Sequence, residues 1–327
     1  MKRSKVSLLL SVAVAGVIAT AVATPAAADP IPQPRDVVGV GSDTSEFVMN
    51  YLADGATLGG ALNPGYNSTA NARLVSFDAT GSTTVVLKAG SAAVTRPNGS
   101  GAGKAVLYGA SNNVNVNYAR SSSGPSTAEN SASLWHVPFA VDGLKLATAS
   151  TSNAPASITP AQMVGIYNGS ITNWNQIGGS SGTIVPMIPQ SGSGTRSFFI
   201  AQLKAANGNV DVVLAGSVQS VQEHDSAPIA ANANAVAPFS TARFATTASG
   251  IKLEGGFTAE RAIYNVVRNA DLSKPWFTAV FGSDGSICSG GGQTLIQAAG
   301  FKQLAHPLDG GACGVPTQTA TTNFAVN

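Results

Sequence analysis

The sequence predicts an α/β fold with largely parallel sheets. Apolar runs of strand length alternate with segments whose apolar residues recur at helical spacing. Most predicted strands end in a short polar turn of Gly, Ser, Thr or Asp, and several of these turns lead into a predicted helix. This alternation of strands and helices is typical of parallel βαβ units rather than of an all-β sandwich.

The predicted elements follow one another closely along the chain. Thr159-Pro160 predicts a helix start, because a hydroxyl residue at the N-cap precedes a proline at the first helical position, and Gly169 predicts its end. Further helices are expected through Phe47 and Leu52, over 276–281 and over 295–299, and residues 90–103 form the clearest predicted loop. The predicted strands are 37–40, 74–77, 114–119, 135–141, 144–148, 184–188, 236–239 and 262–267.

Residues 1–28 have the pattern of a secretory signal peptide. Lys2, Arg3 and Lys5 form a basic start, an apolar stretch follows over 6–22, and small alanines at 26–28 supply a cleavage site. A membrane anchor is the alternative, and the short, alanine-rich apolar stretch disfavours it. No cysteine lies near the cleavage point, so we expect a secreted protein without a lipid anchor.

The composition is that of a folded exported protein. Charged residues make up 10% of the chain, the net charge is +2, and 44% of the residues are hydrophobic. No basic patch indicates nucleic-acid binding, and the hydrophobic content excludes general disorder. Nothing in the sequence indicates an oligomer, and we expect a monomer.

The two cysteines are expected to pair. In an oxidising compartment Cys288 and Cys313 should form a disulfide, and closing a loop of about 25 residues would stabilise the fold by roughly 3 kcal/mol. The alternative is a reactive thiol or a metal ligand. His136, His224 and His306 have no zinc-like spacing to either cysteine, so we predict no metal and no cofactor.

Four loops at predicted strand ends share one chemistry: glycines that allow close backbone approach, hydroxyl donors, and in two loops an arginine. In open α/β sheets ligands bind beyond the carboxyl ends of the strands, where helix N-termini offer free N–H groups. Any one such turn is more often a simple helix cap, but four in one chain favour a pocket for a small oxyanion. The loops contain Ser42, Asp43 and Thr44; Gly81, Ser82 and Thr83; Arg120 and Ser121; and Ser191, Gly192, Ser193, Gly194, Thr195 and Arg196.

Two other stretches are interpreted as structural. Residues 98–105, NGSGAGKA, are similar to a phosphate-binding P-loop, but the first glycine is misplaced and Ala105 stands where a Ser or Thr is needed. His224-Asp225 could suggest a catalytic pair, but adjacent residues rarely orient each other in this way. We therefore expect His224 to be a loop or rim residue.

Three stretches resemble one known family: GSGTRSFF at 192–199, ITPAQMVGIYNGSITNWNQIGG at 158–179 and VGVGSDTSEFV at 38–48. They are similar to the phosphate-binding proteins of bacterial ABC transporters, which have the type 2 periplasmic-binding-protein fold. The resemblance covers nearly the whole chain after the signal peptide and is weakest from about residue 285 onward.

The resemblance implies two α/β lobes joined by two crossing strands, with an anion held between them. The first expected lobe comprises residues 29–139 and 245–327, and the second comprises residues 140–244. Ser193, Gly194 and Thr195 match the family's phosphate loop, and the loops at Asp43-Thr44, Gly81–Thr83 and Ser121 match its other ligand positions. The implied function is capture of phosphate or a similar tetrahedral oxyanion, without catalysis, for delivery to an ABC permease.

The chain departs from the family at two ligand carboxylates. Ser191 and Ser121 stand where the family has aspartates that accept the hydrogen of protonated phosphate, and Asp43 or Asp225 is expected to replace them. Two other functions stay open: a surface or cell-wall protein that keeps the fold without binding an anion, and a secreted phosphoester hydrolase with Ser193 or Thr195 as nucleophile.

Overall fold

The computed structural model describes residues 29–327 and contains one large mixed sheet with helices packed against it. The strands are Val37–Gly41 (β1), Ala56–Leu58 (β2), Ala61–Asn63 (β3), Leu74–Ser76 (β4), Thr84–Val85 (β5), Val94–Thr95 (β6), Tyr118–Ser121 (β7), Leu134–Ala149 (β8), Ser157–Ile158 (β9), Val185–Pro189 (β10), Gln219–Val221 (β11), Ala235–Ser240 (β12), Ile251–Arg268 (β13) and Lys302–Gln303 (β14). The α-helices are Glu46–Asp54 (α1), Ser100–Ala105 (α2), Thr127–Ser131 (α3), Pro160–Asn168 (α4), Gly194–Ala206 (α5), Ala227–Ala230 (α6), Thr241–Thr247 (α7), Pro275–Val280 (α8) and Gly290–Ala298 (α9).

The sheet has parallel strands on both sides of a long antiparallel pair. Its order is β11-β10-β12-β8-β13-β7-β1-β4, with β14 also pairing β8 and β9 also pairing β13. β1, β4 and β7 run parallel on one side, and β10, β11 and β12 run parallel on the other. The predicted α/β fold is therefore confirmed, and its largely parallel character applies to these two outer groups.

The long pair β8 and β13 connects the two groups of strands. The sequence predicts two strands over 135–148, but the structure has one continuous strand, because the polar residues at its middle are satisfied across the sheet. Asp142 lies directly opposite Arg261 of β13 in the register. Gly143 donates its N–H to Thr241 Oγ1 at 3.2 Å, and a Cβ at this position would lie only 2.7 Å from that oxygen.

Each group of parallel strands carries its own hydrophobic core. On one side α1, α8 and α9 pack residues such as Met49, Phe281 and Leu295 against β1 and the N-terminal half of β8. On the other side α4 and α5 pack residues such as Tyr167 and Phe199 against β10 and β12. These cores hold the strand ends, and hence the loops that follow them, in fixed positions.

Several local predictions are confirmed. Helix α4 begins after Thr159, whose side chain forms a reciprocal capping box with Gln162, and ends at Gly169 in a left-handed conformation. The disulfide between Cys288 and Cys313 is present. Helices α8 and α9 cover the two segments predicted near the C-terminus.

Two local predictions are wrong. The alternating segment 114–119 becomes a strand only at Tyr118, because Asn113 caps a turn by accepting the N–H of Asn115 at 3.0 Å. The expected loop over 90–103 contains β6 and the start of α2. The expected signal peptide, residues 1–28, lies outside the described residues. Within residues 29–327, no helix is long and apolar enough to cross a bilayer.

Candidate functional site

The loop before α5 presents a threonine rather than its serines to the interior. Ser193 is the N-cap, and its hydroxyl accepts the N–H of Arg196 at 3.0 Å. Gly194 has no room for a side chain, since a Cβ there would collide with the hydroxyls of Ser100 and Ser122. Thr195, fully buried, directs both its N–H and its hydroxyl into the space between the strand ends.

The hydroxyl of Thr44 lies at the centre of this space. Its Oγ1 is 3.0 Å from His224 Nε2, 3.1 Å from Glu223 Oε1, 3.2 Å from Ser122 Oγ and 3.3 Å from Thr195 Oγ1. Arg261 Nη2 approaches it at 3.5 Å. We call these six residues the Thr44 cluster: Thr44, Ser122, Thr195, Glu223, His224 and Arg261. All six are buried.

Glu223 brings a carboxylate to the N-terminal end of α5. Its Oε1 accepts the N–H of Thr195 at 3.1 Å and the hydroxyl of Thr44. Its Oε2 is buried and has no hydrogen-bond partner among residues 29–327. A buried carboxylate oxygen without a donor is costly, so Oε2 is the position in the cluster that can accept one more hydrogen.

His224 is neutral and acts as a donor. Burial, together with the charges of Arg243 and Arg261, holds the pKa of His224 well below its usual value. Its Nδ1 accepts the N–H of Ser240 at 3.5 Å, which assigns the ring hydrogen to Nε2, the atom facing Thr44. With that tautomer the imidazole cannot take a proton from the Thr44 hydroxyl.

Arg261 is held in place on β13, in the long antiparallel pair of β8 and β13 that connects the two groups of parallel strands. Its Nε and Nη2 lie 3.2 and 2.9 Å from Asp142 Oδ2, and Asp142 Oδ1 accepts the Ser240 hydroxyl at 2.7 Å. The guanidinium also lies 5.5 Å from the centre of the Phe198 ring. This arrangement places a rigid, buried positive charge beside Thr44.

A second group of buried charges lies next to the cluster. Arg243 Nη2 is 3.6 Å from Asp43 Oδ1 and 3.7 Å from Glu46 Oε1, and its guanidinium lies over the Phe47 ring at 4.1 Å. Burial and the neighbouring Glu46 raise the pKa of Asp43 well above its usual value. Burial also raises the pKa of Glu46.

A family model for the PBP superfamily domain matches residues 32–303. The chain belongs to the PBP superfamily. A solved structure from Clostridium perfringens, described as a phosphate ABC transporter substrate-binding protein with bound phosphate, is 20% identical with a TM-score of 0.61, covering 82% of this chain and 99% of that one. An ABC-type phosphate transport receptor from Vibrio cholerae is 20% identical with a TM-score of 0.54, covering 81% and 99%. A comparison with curated protein sequences found no relative.

In this PBP superfamily member, some predicted loops converge and others do not. Thr44 and Thr195 belong to the cluster, Ser42 donates to Ser122 at 3.1 Å, and Ser193 and Gly194 shape the start of α5. Asp43 lies beside Thr44 but faces Arg243. The first threonine loop and the glycine-rich loop therefore meet, as the resemblance implies.

Other predicted ligand residues have contacts elsewhere. The exposed turn of Gly81, Ser82 and Thr83 packs on Arg96, with Ser82 donating to Asp29 at 2.9 Å. Ser191 and Gly192 are exposed, and Asp225 is exposed and accepts the N–H of Ala227. The structure therefore does not bring these residues to the Thr44 cluster, and Ser82 and Asp225 have hydrogen-bond partners elsewhere.

Three further predicted residues support the loops instead of facing the cluster. Arg120 is buried and donates Nε to the carbonyl of Ser42 at 3.0 Å. Arg196 donates Nη1 to the carbonyl of Pro189 at 2.8 Å. Ser121 donates to the carbonyl of Ser123 at 2.8 Å, and its neighbour Ser122 faces the cluster in its place.

Sequence reasoning missed four members of the cluster: Ser122, Glu223, His224 and Arg261. His224 lies in a loop, as expected, but not at a rim, since it is 8% exposed and hydrogen-bonds at the centre of the site. The P-loop-like stretch also lies here, because Ser100 accepts the N–H of Ser122 at 3.0 Å and Gly101 donates to the Gly192 carbonyl at 2.9 Å. Within residues 29–327, no group of three or more His, Cys, Asp or Glu side chains could hold a metal ion.

Proposed function

We propose that this protein is a secreted solute-binding protein that captures phosphate or a similar tetrahedral oxyanion, without catalysis, and passes it to an ABC permease. Its lobes are 29–139 plus 245–327, and 140–244, with β8 and β13 as the crossing strands. The observation that carries the proposal is the convergence on Thr44 of donors from both lobes. Thr195 and His224 come from one lobe, and Ser122 and Arg261 come from the other.

This arrangement supplies what an oxyanion needs. Hydroxyls, a neutral imidazole N–H, a helix N-terminal amide and a guanidinium can surround its oxygens in a site shielded from water. Because the donors come from two lobes, an anion that contacts both would stabilise the closed form. The similar structures from Clostridium perfringens and Vibrio cholerae, described as phosphate-transport proteins, support phosphate as the ligand.

Glu223 is proposed as the carboxylate that takes the place of the family's ligand aspartates. Its Oε1 is anchored by Thr195 and Thr44, and its buried Oε2 is free to accept the hydrogen of protonated phosphate. Sulfate carries no such hydrogen at neutral pH and would face an uncompensated carboxylate. Glu223 thus favours phosphate over sulfate.

The hydrolase alternative is not favoured. The Ser193 hydroxyl is used as a helix cap, and His224 presents an N–H rather than a lone pair to the threonine hydroxyls. For the two proposed nucleophiles, Ser193 and Thr195, these contacts supply no base that would take the hydroxyl hydrogen.

The proposal is tested by titrating phosphate into the mature protein after bound phosphate is removed by partial unfolding and dialysis. Thr44→Val and Thr195→Val keep the side-chain volume but remove a hydroxyl, and each should weaken binding about tenfold or more. Ser82→Ala and Asp225→Asn are matched controls at exposed positions outside the cluster. Unchanged affinity in both threonine variants would place the ligand elsewhere, and absence of phosphate binding by the wild type would overturn the function.

A further inference from the structure

A cavity of about 310 Å³ adjoins the Thr44 cluster. Ser122 and Arg261 belong to both, so the cavity shares a wall with the proposed anion site. Its remaining lining is largely apolar and includes Phe198, Tyr264, Ala320 and Phe324. Ligand sites commonly combine such an apolar lining with a few polar groups at one end.

The cavity walls come from four parts of the chain: the loop after β7, helix α5, strand β13 and the C-terminal segment. Phe198 lies on α5, one turn after Thr195, with the Arg261 guanidinium against its ring. Tyr264 lies on β13 and accepts the N–H of Thr321 at 2.9 Å, which fixes the C-terminal segment across the cavity. That segment is also fixed further on, where Ala305 donates its N–H to the carbonyl of Ala325 at 2.8 Å.

The charges around the cavity indicate the orientation of a ligand. The positive group is Arg261, at the end shared with the cluster, where an anionic head would lie. Glu260 lines the rim but is exposed and lies 3.4 Å from Lys302, so solvent and its partner screen it. The apolar side chains of the lining, one of which, Phe198, lies against the Arg261 guanidinium, suit a group that carries no charge.

We propose, resting on the proposed function, that the ligand class includes organic phosphonates and phosphate monoesters. The oxyanion would occupy the Thr44 cluster, and the organic substituent would lie in the cavity against Phe198, Tyr264 and Ala320. A planar ring or a short alkyl group suits a cavity at the lower end of the size range for small-molecule sites. Each additional carbon placed against these walls adds affinity by leaving water.

The test compares inorganic phosphate, methylphosphonate and phenylphosphonate by calorimetric titration of the full mature protein. Phosphonates are chosen because their C–P bond is not cleaved by phosphoester hydrolysis. The wild type should bind phenylphosphonate at least about tenfold more tightly than methylphosphonate. Ala320→Trp, which fills the cavity, should remove this preference while changing phosphate affinity less than about twofold.

Ala110→Trp is the matched control, since Ala110 is an exposed alanine outside the cavity lining. Retained phosphate binding by Ala320→Trp shows that this variant is folded. Binding of phosphate with exclusion of phenylphosphonate would overturn this inference and leave the proposed function intact. Failure of the wild type to bind any of the three anions would overturn the proposed function and this inference with it.

Discussion

The carboxylate of Glu223 gives the sharpest prediction about anion selectivity. Glu223→Gln keeps an oxygen that can accept the N–H of Thr195 and the hydroxyl of Thr44, so the start of α5 should stay in place. The substitution changes the charge and the hydrogen-bonding chemistry at the second position, Oε2, which is buried and has no partner in the part of the chain that the structure describes. A carboxylate there accepts a hydrogen, whereas an amide nitrogen donates one.

Two effects of this substitution must be separated. Removing a buried charge about 5 Å from a bound anion relieves a repulsion of about 3 kcal/mol per unit charge at an effective dielectric constant of about 20. This relief is similar for phosphate and sulfate, so it largely cancels in the ratio of their affinities. The hydrogen bond from protonated phosphate to the carboxylate does not cancel, and bonds to charged groups contribute about 1.5–3 kcal/mol.

The phosphate-to-sulfate affinity ratio of Glu223→Gln should therefore fall by about 10-fold to about 150-fold relative to the wild type. Isothermal titration of both anions near neutral pH measures this ratio directly. Glu260→Gln is the matched control, because Glu260 is an exposed glutamate outside the cluster, paired with Lys302. An unchanged ratio in Glu223→Gln, with phosphate still bound, would refute the assignment of Glu223 as the hydrogen acceptor.

Three other predictions follow from packing, covalent structure and titration. Gly194→Ala should weaken phosphate binding at least about tenfold and lower the free energy of unfolding by about 1–3 kcal/mol, because the added Cβ would collide with two serine hydroxyls. Gly216→Ala is the control, since a Cβ there meets open space, and it should change neither the affinity measured by titration nor the stability measured by urea unfolding. Replacing Cys288 and Cys313 by alanine should lower the free energy of unfolding by about 3 kcal/mol in urea, and a loss under about 1 kcal/mol would contradict the loop-closure account. The raised pKa of Asp43 means that the folded state keeps a proton that the unfolded chain releases, so stability should fall as pH rises from the unfolded value of 3.8 toward the folded pKa. Glu46, whose pKa is also raised, contributes a slope of the same sign, so Asp43→Asn should make the slope measured by urea unfolding shallower without abolishing it, and an identical slope in the variant would assign it to another group.

The sequence predicted where the loops that lead into helix caps occur. It predicted less well which side chains of these loops point toward the cluster. The turn before α5 and the loop at Thr44 were identified from composition, and both meet in the structure. At the end of β7 the family resemblance points to Ser121, whereas in the structure its neighbour Ser122 faces the cluster. Side chains alternate faces at a strand end, so a one-residue uncertainty decides whether Ser121 or Ser122 faces the cluster.

Composition alone also could not distinguish a ligand-binding loop from a turn whose polar groups form hydrogen bonds within the protein. The Gly81–Thr83 turn has the same residue types as the others, but Arg96 donates Nε to the Ser82 carbonyl at 2.6 Å and Asp29 accepts the Ser82 hydroxyl. Neither partner is adjacent in sequence. Donor-rich turns therefore predict that hydrogen bonds form, and the tertiary structure decides whether a ligand or the protein itself forms them.

The position of Arg261 depends on sheet register, which the sequence pattern does not supply. Its pairing with Asp142 joins residues 119 positions apart in sequence. The register shifts between Leu253 and Thr258, so the pairing at the start of β13 does not fix which residue faces the site later in the strand. A slip of one residue would turn the guanidinium to the opposite face of the sheet and leave Asp142 buried without its partner.

If the proposed site holds an anion, the balance of buried charge around it favours protonation of that anion, more than excess positive charge, as the basis of selectivity. Three buried arginines and four buried carboxyl groups lie in and around the site, so a fully ionised site would carry more negative than positive charge and repel a dianion. Burial raises the pKa values of Asp43 and Glu46, so these two carboxyl groups hold a proton more readily than exposed ones, and Asp142 is compensated by its direct pair with Arg261. Glu223 is then the carboxylate left to face the ligand, and an anion that brings its own hydrogen meets an acceptor there instead of a repulsive charge. The groups involved are Arg120, Arg243, Arg261, Asp43, Glu46, Asp142 and Glu223.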